Sequence, residues 1–132
     1  MNEVDTNEIK IGDVVYVRKD SVKAESKMTT DGMTYCIFRG HECGVHAGYL
    51  KSSKVYDSPN AFEVVNARRL WRWDSNFTLT ELANRGVRNI GNCKFSEPSV
   101  NPSILLDVYE VLPCTESAAK SIMEVVNYEP NN

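Results

Sequence analysis

The succession of short β-rich segments between turn residues is the feature that most constrains the fold of this chain. Three of them, "MTYCIFRG" (33–40), "VHAGYLKS" (45–52) and "AFEVVNARRLWRW" (61–73), are dense in β-branched and aromatic residues. The breaks "HECG" and "KVYDSPN" separate them, which predicts consecutive strands. Further strands are predicted at 14–17, within "IGDVVYV", and over "SILLDVYEVLP" (103–113).

Two short helices are predicted beside these strands. Thr78 stands three residues before Glu81, as in a capping box, and the leucines and alanine of "LTELANR" form an apolar stripe that predicts a helix over 79–85, closed by Gly86. Thr115 is a suitable cap for a second helix through "ESAAKSIMEVV". The sequence therefore predicts an α+β fold of mostly antiparallel β-sheet with two short helices.

The size of the chain predicts a single compact domain. It has 132 residues, 42% of them hydrophobic, which is enough for one ordinary core and too little for two. Within this domain, 1–132, we expect polar tails at 1–10 and 127–132 and a mobile loop at 19–32. The Gly-, Asn- and Pro-rich stretch 86–102 predicts a long loop of the kind that often carries function.

Charge is distributed unevenly along the chain. The net charge is −3, which argues against a surface that grips long nucleic acid by counterion release. Residues 61–95 nevertheless contain six basic and three acidic side chains, so this segment is +3 and the remainder is −6. A positive surface on an acidic body favours a compact anion as the ligand.

No part of the sequence indicates a membrane or an export signal. No apolar run approaches the ~18 residues of a membrane span, and "MNEVDTNEIK" lacks the basic and apolar regions of a signal peptide. We therefore expect a cytoplasmic protein with no membrane partner. Its cysteines, which are widely spaced and predicted to be reduced thiols, are Cys36, Cys43, Cys93 and Cys114.

The segment "NARRLWRW" (66–73) concentrates three arginines and both tryptophans of the chain. Strict strand alternation puts on one face Val65, Ala67, Arg69, Trp71 and Trp73. It puts on the other face Asn66, Arg68, Leu70 and Arg72. Indoles can stack on a base and guanidinium groups can hold phosphate oxygens, so the strand suits a nucleotide. The competing interpretation is that the tryptophans pack in the core and the arginines cap the sheet edge.

The loop after the first helix adds further polar and aromatic candidates. Arg85 and Arg88 flank it, Asn92 can read a base edge, and Lys94 and Phe95 supply a cation and a stacking ring. An ordinary loop with Asx turns is the alternative. The predicted ligand-binding residues are Arg68, Arg69, Trp71, Trp73, Arg85, Arg88, Asn92, Lys94 and Phe95.

Metal binding and catalysis are weaker interpretations. Cys36, His41, Cys43 and His46 follow the spacing C-x4-H-x-C-x2-H, which is too crowded for paired zinc knuckles, and we predict no metal and no cofactor. Cys43 and His46 resemble a nucleophile and its base, but no orienting acid or oxyanion loop accompanies them. We therefore predict a protein that is not an enzyme.

Five motifs in this order resemble a family of small phage and prophage proteins: "GVHAGYL", "NARRLWRW", "LTELANRGV", "GNCKF" and "VLPCTESAAKSI". The resemblance spans 35–125. Within this family, the chain resembles the phage anti-defence sponges that act against the Thoeris system. It implies binding of a cyclic ADP-ribose isomer made by bacterial TIR proteins, without turnover, so that the defence effector loses its signal. It also implies a homo-oligomer in an infected or lysogenic host, because some members are oligomers that hold cyclic oligonucleotides.

The resemblance also implies roles for individual residues. Aromatic rings would lie against adenine, Arg68, Arg69 and Lys94 against the pyrophosphate, and Asn92 against a base or ribose edge. The chain departs from the family pattern over 1–32, which lie outside it, in a longer "KSSKVYDSPNAF" segment, and at His46, where an aromatic residue is expected. The alternative function is a phage structural or protein-interaction module that uses "RRLWRW" as an oligomer interface.

Overall fold

Seven strands and two α-helices form the part of the chain that this computed structural model describes, residues 27–73 and 78–129. The strands are β1 (Thr29–Thr30), β2 (Met33–Gly40), β3 (Gly44–Ser53), β4 (Phe62–Arg72), β5 (Lys94–Phe95), β6 (Ser103–Leu105) and β7 (Val108–Pro113). The helices are α1 (Leu79–Arg85) and α2 (Glu116–Glu124). The fold is a mostly antiparallel sheet with two short helices in one compact domain, as predicted.

Strands β2, β3 and β4 form the centre of the sheet as an antiparallel meander. Tyr35 of β2 lies opposite Tyr49 of β3, and His46 of β3 lies opposite Arg69 of β4. These strands agree with the predicted segments to within one residue at each end, because their β-branched and aromatic runs end at clear turn residues. The predicted strand at 14–17 and the tail at 1–10 lie outside the described residues.

The predicted strand over 103–113 is two strands, which corrects that prediction. Leu106 and Asp107 separate β6 from β7, and Asp107 takes a positive φ of 63°, which breaks the strand. β6 then pairs with β4, whereas β7 pairs with β2. We call residues 103–113, which bend at Asp107, the kinked segment. Because β2 and β4 border the meander on opposite sides, pairing with both of them through the kinked segment curls the sheet.

Two hydrophobic cores lie on the two sides of this curled sheet. The first core lies between the sheet and both helices and contains buried residues such as Tyr35, Ile37, Leu70, Leu82, Phe95 and Ile122. The second core lies on the opposite side, against the kinked segment, and contains Cys36, Phe38, Val64, Ala67, Leu105 and Val108. The central strands are therefore buried on both faces, and their sequences show little regular alternation of apolar and polar residues.

A β-bulge interrupts β4 and changes which side chains share a face. Gly48 of β3 lies opposite the two residues Asn66 and Ala67, and Asn66 has a φ of 56°. Val65 therefore packs on the first core and Ala67 in the second, so the prediction that they share a face is wrong. Beyond the bulge it is Arg68 that shares the buried face with Leu70.

The helices begin and end close to where the sequence predicts. The Thr78 hydroxyl accepts a hydrogen bond from the Glu81 N–H (3.3 Å), and the Thr78 N–H donates to the Glu81 carboxylate (3.0 Å), which confirms the capping box of α1. Gly86 ends α1, and a Cβ there would lie 2.9 Å from Ala118 Cα, so glycine permits the close approach of α2. Thr115 caps α2 by accepting from the Ala118 N–H.

Segments near both ends of the described chain are held in place. Within the predicted loop 19–32, Thr29 and Thr30 pair with β2 and Lys27 bridges to Thr115, so this part is not a free loop; 19–26 lie outside the described residues. Within the predicted tail 127–132, the Tyr128 N–H donates to the Phe95 carbonyl at 2.8 Å, so the tail prediction needs correction at that residue.

Candidate ligand-binding surface

Two of the predicted ligand residues, Arg68 and Phe95, lie inside the protein. Arg68 is 1% exposed and Phe95 is fully buried, and the guanidinium carbon lies 5.2 Å from the centroid of the ring. Arg68 Nε donates to the Ser96 carbonyl at 2.8 Å and Nη1 donates to the Ile122 carbonyl at 2.9 Å. The structure thus places neither side chain where a surface ligand could stack on it or pair with it.

The position of Arg68 follows from the end of α2. Its guanidinium also donates to the carbonyl of Met123 and to Asn127 Oδ1 at 3.0 Å, so it satisfies carbonyls at the negative end of the helix dipole. Burial lowers the pKa of Arg68, with Tyr35 and Cys93 opposing that effect. Arg68 therefore anchors α2 to β4.

The two tryptophans of β4 have different surroundings. Trp73 is partly buried and packs on the first core, whereas Trp71 is 55% exposed. A second shift of register between Leu70 and Arg72, opposite β5, accounts for this difference. The prediction that Trp71 and Trp73 share a face is therefore wrong.

Trp71 belongs to an exposed group of aromatic and basic side chains. Its ring lies 6.0 Å from the ring of Tyr128 in an edge-to-face arrangement, and the Lys94 ammonium lies 5.0 Å from the Tyr128 centroid. Arg72 is exposed and pairs across the strands with Lys94. Strand alternation puts Arg69 on the same side of β4 as Trp71. We call the five residues Arg69, Trp71, Arg72, Lys94 and Tyr128 the basic aromatic surface.

The Arg69 side chain is exposed and carries an available positive charge. Its backbone N–H donates to Ser96 Oγ at 2.7 Å, but among residues 27–73 and 78–129 its guanidinium has no ion pair. Burial, and then the charge of Arg69, lowers the pKa of His46 to about 4. No carboxylate among the described residues neutralises Arg69, so its guanidinium is a cation that an anion could approach.

The remaining candidates lie on α1 and the following loop. Arg85 is exposed in the last turn of α1, Arg88 is exposed in the loop, and Asn92 ends a short 3-10 turn in which its N–H donates to the Asn89 carbonyl. Among the described contacts, no hydrogen bond or ring contact joins Arg85 or Asn92 to Trp71 of the basic aromatic surface.

Cys36, Cys43, Cys114 and His46 have pKa values that oppose nucleophilic chemistry. Burial raises the pKa of Cys36 to about 11 and that of Cys114 to about 12, and it also raises the pKa of Cys43. A low pKa for His46 disfavours the imidazolium that would pair with a thiolate. Within the described part of the chain, no group of three or more His, Cys, Asp or Glu side chains is arranged to hold a metal ion.

Tyr128 is the member of the basic aromatic surface that sequence reasoning missed. It lies in "NYEPNN" after α2, a polar stretch that predicts a frayed end. The sequence signal that could have found it is a lone aromatic residue in a polar tail, because a terminal segment is ordered only where something ties it down. Arg72 belongs to the "NARRLWRW" motif but was not among the predicted ligand residues.

The chain matches the model of a protein family. A model of a family described as a domain of unknown function (DUF6948) matches residues 33–122, which is more than half of the chain. The chain, an antiparallel sheet domain with an exposed basic aromatic surface, therefore belongs to that family. No curated protein and no solved structure matches it. No helix in the described part of the chain is long and apolar enough to cross a membrane.

Proposed function

We propose that this protein binds a compact cyclic nucleotide signal on the basic aromatic surface and sequesters it without turnover. The observation that carries the proposal is the contact of exposed Trp71 with Tyr128 while Lys94 lies over the same tyrosine. Exposed rings offer a base a stacking surface, and the neighbouring cations offer phosphate oxygens charge-assisted hydrogen bonds.

The charges of the surface support an anionic ligand. Arg69, Arg72 and Lys94 contribute three positive charges within a segment that is +3 on a chain of −3. Arg69 has no ion pair among the described residues, so a ligand would displace no described carboxylate from it. A phosphate or pyrophosphate is the kind of group that such a guanidinium recognises.

The resemblance to the Thoeris anti-defence sponges supports a cyclic ADP-ribose isomer as the ligand. That ligand carries an adenine and a pyrophosphate, which correspond to the rings and cations of the surface. A sponge needs preorganised binding and no nucleophile, which accords with thiols whose pKa values are raised by burial. The proposal includes action in the cytoplasm of an infected or lysogenic bacterial host.

The experiment is isothermal titration of the purified full-length protein with the cyclic ADP-ribose isomers that TIR enzymes produce, followed by chromatography of the recovered ligand. We expect tight binding and intact ligand. Arg69→Ala should lose binding at unchanged thermal stability, and Lys51→Ala is the control because Lys51 pairs with Glu63 (3.7 Å) outside this surface. A degraded ligand would mean an enzyme, and no heat of binding with any isomer would overturn the proposal.

The same surface supports a second candidate, a contact between subunits. Trp71 and Tyr128 are large exposed rings beside arginine, the composition of interface hot spots. Trp71→Ala or Arg72→Ala should then lower the mass in solution, measured by light scattering, whatever nucleotide is present. The two functions are compatible if the nucleotide binds between subunits. An unchanged mass in both variants would exclude the interface.

A further inference from the structure

His46 of β3 is a buried polar side chain that the proposed function does not use. It is 6% exposed, and its Nδ1 is buried with no hydrogen-bond partner among the described residues. Its Nε2 has no partner there either, but this atom is not sealed from solvent. Buried polar groups in folded proteins normally have a partner. A side chain that is nine-tenths buried and makes no hydrogen bond within the described chain is therefore a candidate ligand residue.

The register of the sheet places His46 between an apolar and a cationic side chain. Its partner on β2 is Phe38, which belongs to the second core, and its partner on β4 is Arg69. Residues directly opposite each other on antiparallel strands project from the same face, with Cβ atoms about 5 Å apart. His46 and Arg69 are therefore neighbours at the border of the second core, where His46 is buried and Arg69 is exposed.

The charge of Arg69 dominates this border of the second core. It adds to burial in lowering the pKa of His46, and it partly opposes the burial that raises the pKa of Cys43. Asp107 is close enough to act on Cys43 as well, but no carboxylate of the described residues forms an ion pair with Arg69. A metal cation would meet this positive charge, whereas an anion would be stabilised by it.

The buried Nδ1 indicates which ring nitrogen of His46 carries the proton. A pKa of about 4 keeps the imidazole neutral at neutral pH, so one nitrogen is a donor and the other is an acceptor. In protein interiors, unpaired N–H donors are rarer than under-used acceptors. We therefore expect the lone pair on the buried Nδ1 and the proton on Nε2. The Nε2–H group is then a neutral donor beside the guanidinium of Arg69.

We propose that the Nε2–H of His46 and the guanidinium of Arg69 together bind the oxygens of one phosphoryl group. The inference rests on the proposed function in taking Arg69 as a ligand residue, and it adds His46, which lies outside the basic aromatic surface. A guanidinium can pair with two oxygens of a phosphate, and the imidazole N–H can donate to another. We call His46 and Arg69 the phosphoryl subsite.

The phosphoryl subsite determines how a nucleotide would lie on the protein. Trp71 follows Arg69 by two residues along β4, a separation of about 7 Å. A phosphoryl group at the subsite therefore leaves space for a sugar before a base stacked on Trp71. The phosphoryl end of the ligand would lie at the border of the second core, and the base would lie toward Tyr128.

Inorganic phosphate is the probe for the subsite, and the two histidines of the chain are the reporters. Long-range imidazole spectra of the ¹⁵N-labelled full-length protein at neutral pH should show His46 with its proton on Nε2. Phosphate at millimolar concentration should shift the His46 signals to saturation. The signals of exposed His41 should stay in place. Chloride at the same ionic strength should shift neither histidine.

Substitutions at His46 separate the Nε2–H donor from packing. His46→Leu removes the donor and should weaken phosphate at least about tenfold, the effect of one hydrogen bond to a charged group. His46→Gln retains an N–H near the position of Nε2 and should bind phosphate nearly as well as the original protein. His46→Asn, whose amide is too short to reach that position, should resemble His46→Leu. Arg39→Gln is the control, because Arg39 is a cation on β2 that pairs with Glu110.

The outcomes distinguish this subsite from the proposed function. The inference is overturned if phosphate does not saturate the protein at millimolar concentration, if His46 carries its proton on Nδ1, or if His46→Leu binds phosphate as tightly as the original protein. Cyclic nucleotide binding that is unchanged in His46→Leu would also overturn it, while leaving the proposed function in place. Saturable phosphate binding without any binding of a cyclic nucleotide would overturn the proposed function alone.

Discussion

The guanidinium carbon of Arg68 lies 5.2 Å from the centre of the Phe95 ring, and both side chains are buried. These two residues stand in the motifs "NARRLWRW" and "GNCKF", where their chemistry suggests a ligand. Their contact, together with the hydrogen bonds of Arg68, shows that these two side chains hold β4, β5 and α2 together. The neighbouring Arg69, Trp71 and Lys94 remain on the surface.

The adjacent arginines should separate folding from binding. Arg68→Met removes hydrogen bonds to carbonyls at the end of α2, and we expect it to lower the free energy of unfolding by at least about 3 kcal/mol. Arg69→Met, on the exposed side, should change it by less than about 1 kcal/mol. Urea denaturation of both variants compares them directly. Equal losses would contradict the division between a structural and a surface arginine.

Stability should fall in mild acid because of His46. It is 6% exposed, its Nδ1 has no hydrogen-bond partner among the described residues, and its pKa is lowered from 6.5 to about 4. Between these values the unfolded chain binds a proton that the native state does not, so stability is lost as pH falls from about 6.5 to about 4. The full effect is about 3 kcal/mol.

The test for His46 is urea denaturation at pH 7.5, 6, 5 and 4. His46→Leu should flatten the dependence relative to the original protein, whereas the exposed His41→Leu should retain it. Carboxylates also titrate in this range, so the difference between the two variants is the relevant quantity. Parallel curves for both variants would refute the assignment.

Gly48 should resist substitution because of the bulge opposite it. A Cβ at this position would lie 2.6 Å from Val64 Cγ1, 2.9 Å from the Val65 carbonyl oxygen and 3.0 Å from Ala67 Cα. Gly48→Ala should therefore cost about 2–3 kcal/mol. Gly91→Ala, where the nearest atom is 3.5 Å away, should stay within about 0.5 kcal/mol in thermal denaturation. A mild effect at Gly48 would mean that the bulge can move.

The capping box of α1 should contribute measurably to stability. Thr78→Ala removes the hydroxyl that accepts from the Glu81 N–H and should cost about 1 kcal/mol. Thr80→Ala, in the exposed first turn of the same helix, should cost less than about 0.5 kcal/mol. Calorimetric melting compares the two variants, and an equal shift would show that the Thr78 cap contributes no more than the exposed Thr80 side chain.

Most of the fold was predictable because local chemistry determines it. The ends of α1 follow from Thr78 and Gly86, and β2 and β3 end at turn residues that any reader of the sequence can find. The break at Asp107 was not predictable, because "SILLDVYEVLP" is rich in strand-forming apolar residues on both sides of a single aspartate, and a positive φ at aspartate leaves only a weak signal.

The candidate surface was predictable only in part. A bulge of one residue decides whether Arg68 or Arg69 faces inward, and Asn66, a residue type that tolerates positive φ, was its one visible sign. The second register shift, between Leu70 and Arg72, likewise leaves Trp71 exposed and Trp73 packed on the first core. Tyr128 joins Trp71 through a contact between distant parts of the chain, which no local pattern reveals.

The kinked segment of β6 and β7 has a consequence for how the chain completes its fold during synthesis. Because this late segment pairs with both β2 and β4, an emerging chain that has not reached Ser103 leaves two strand borders without partners. Unpaired borders invite association with other chains, and pairing between distant segments is slow. A premature stop before Ser103 should therefore yield aggregating fragments, since one missing segment opens the sheet at two places.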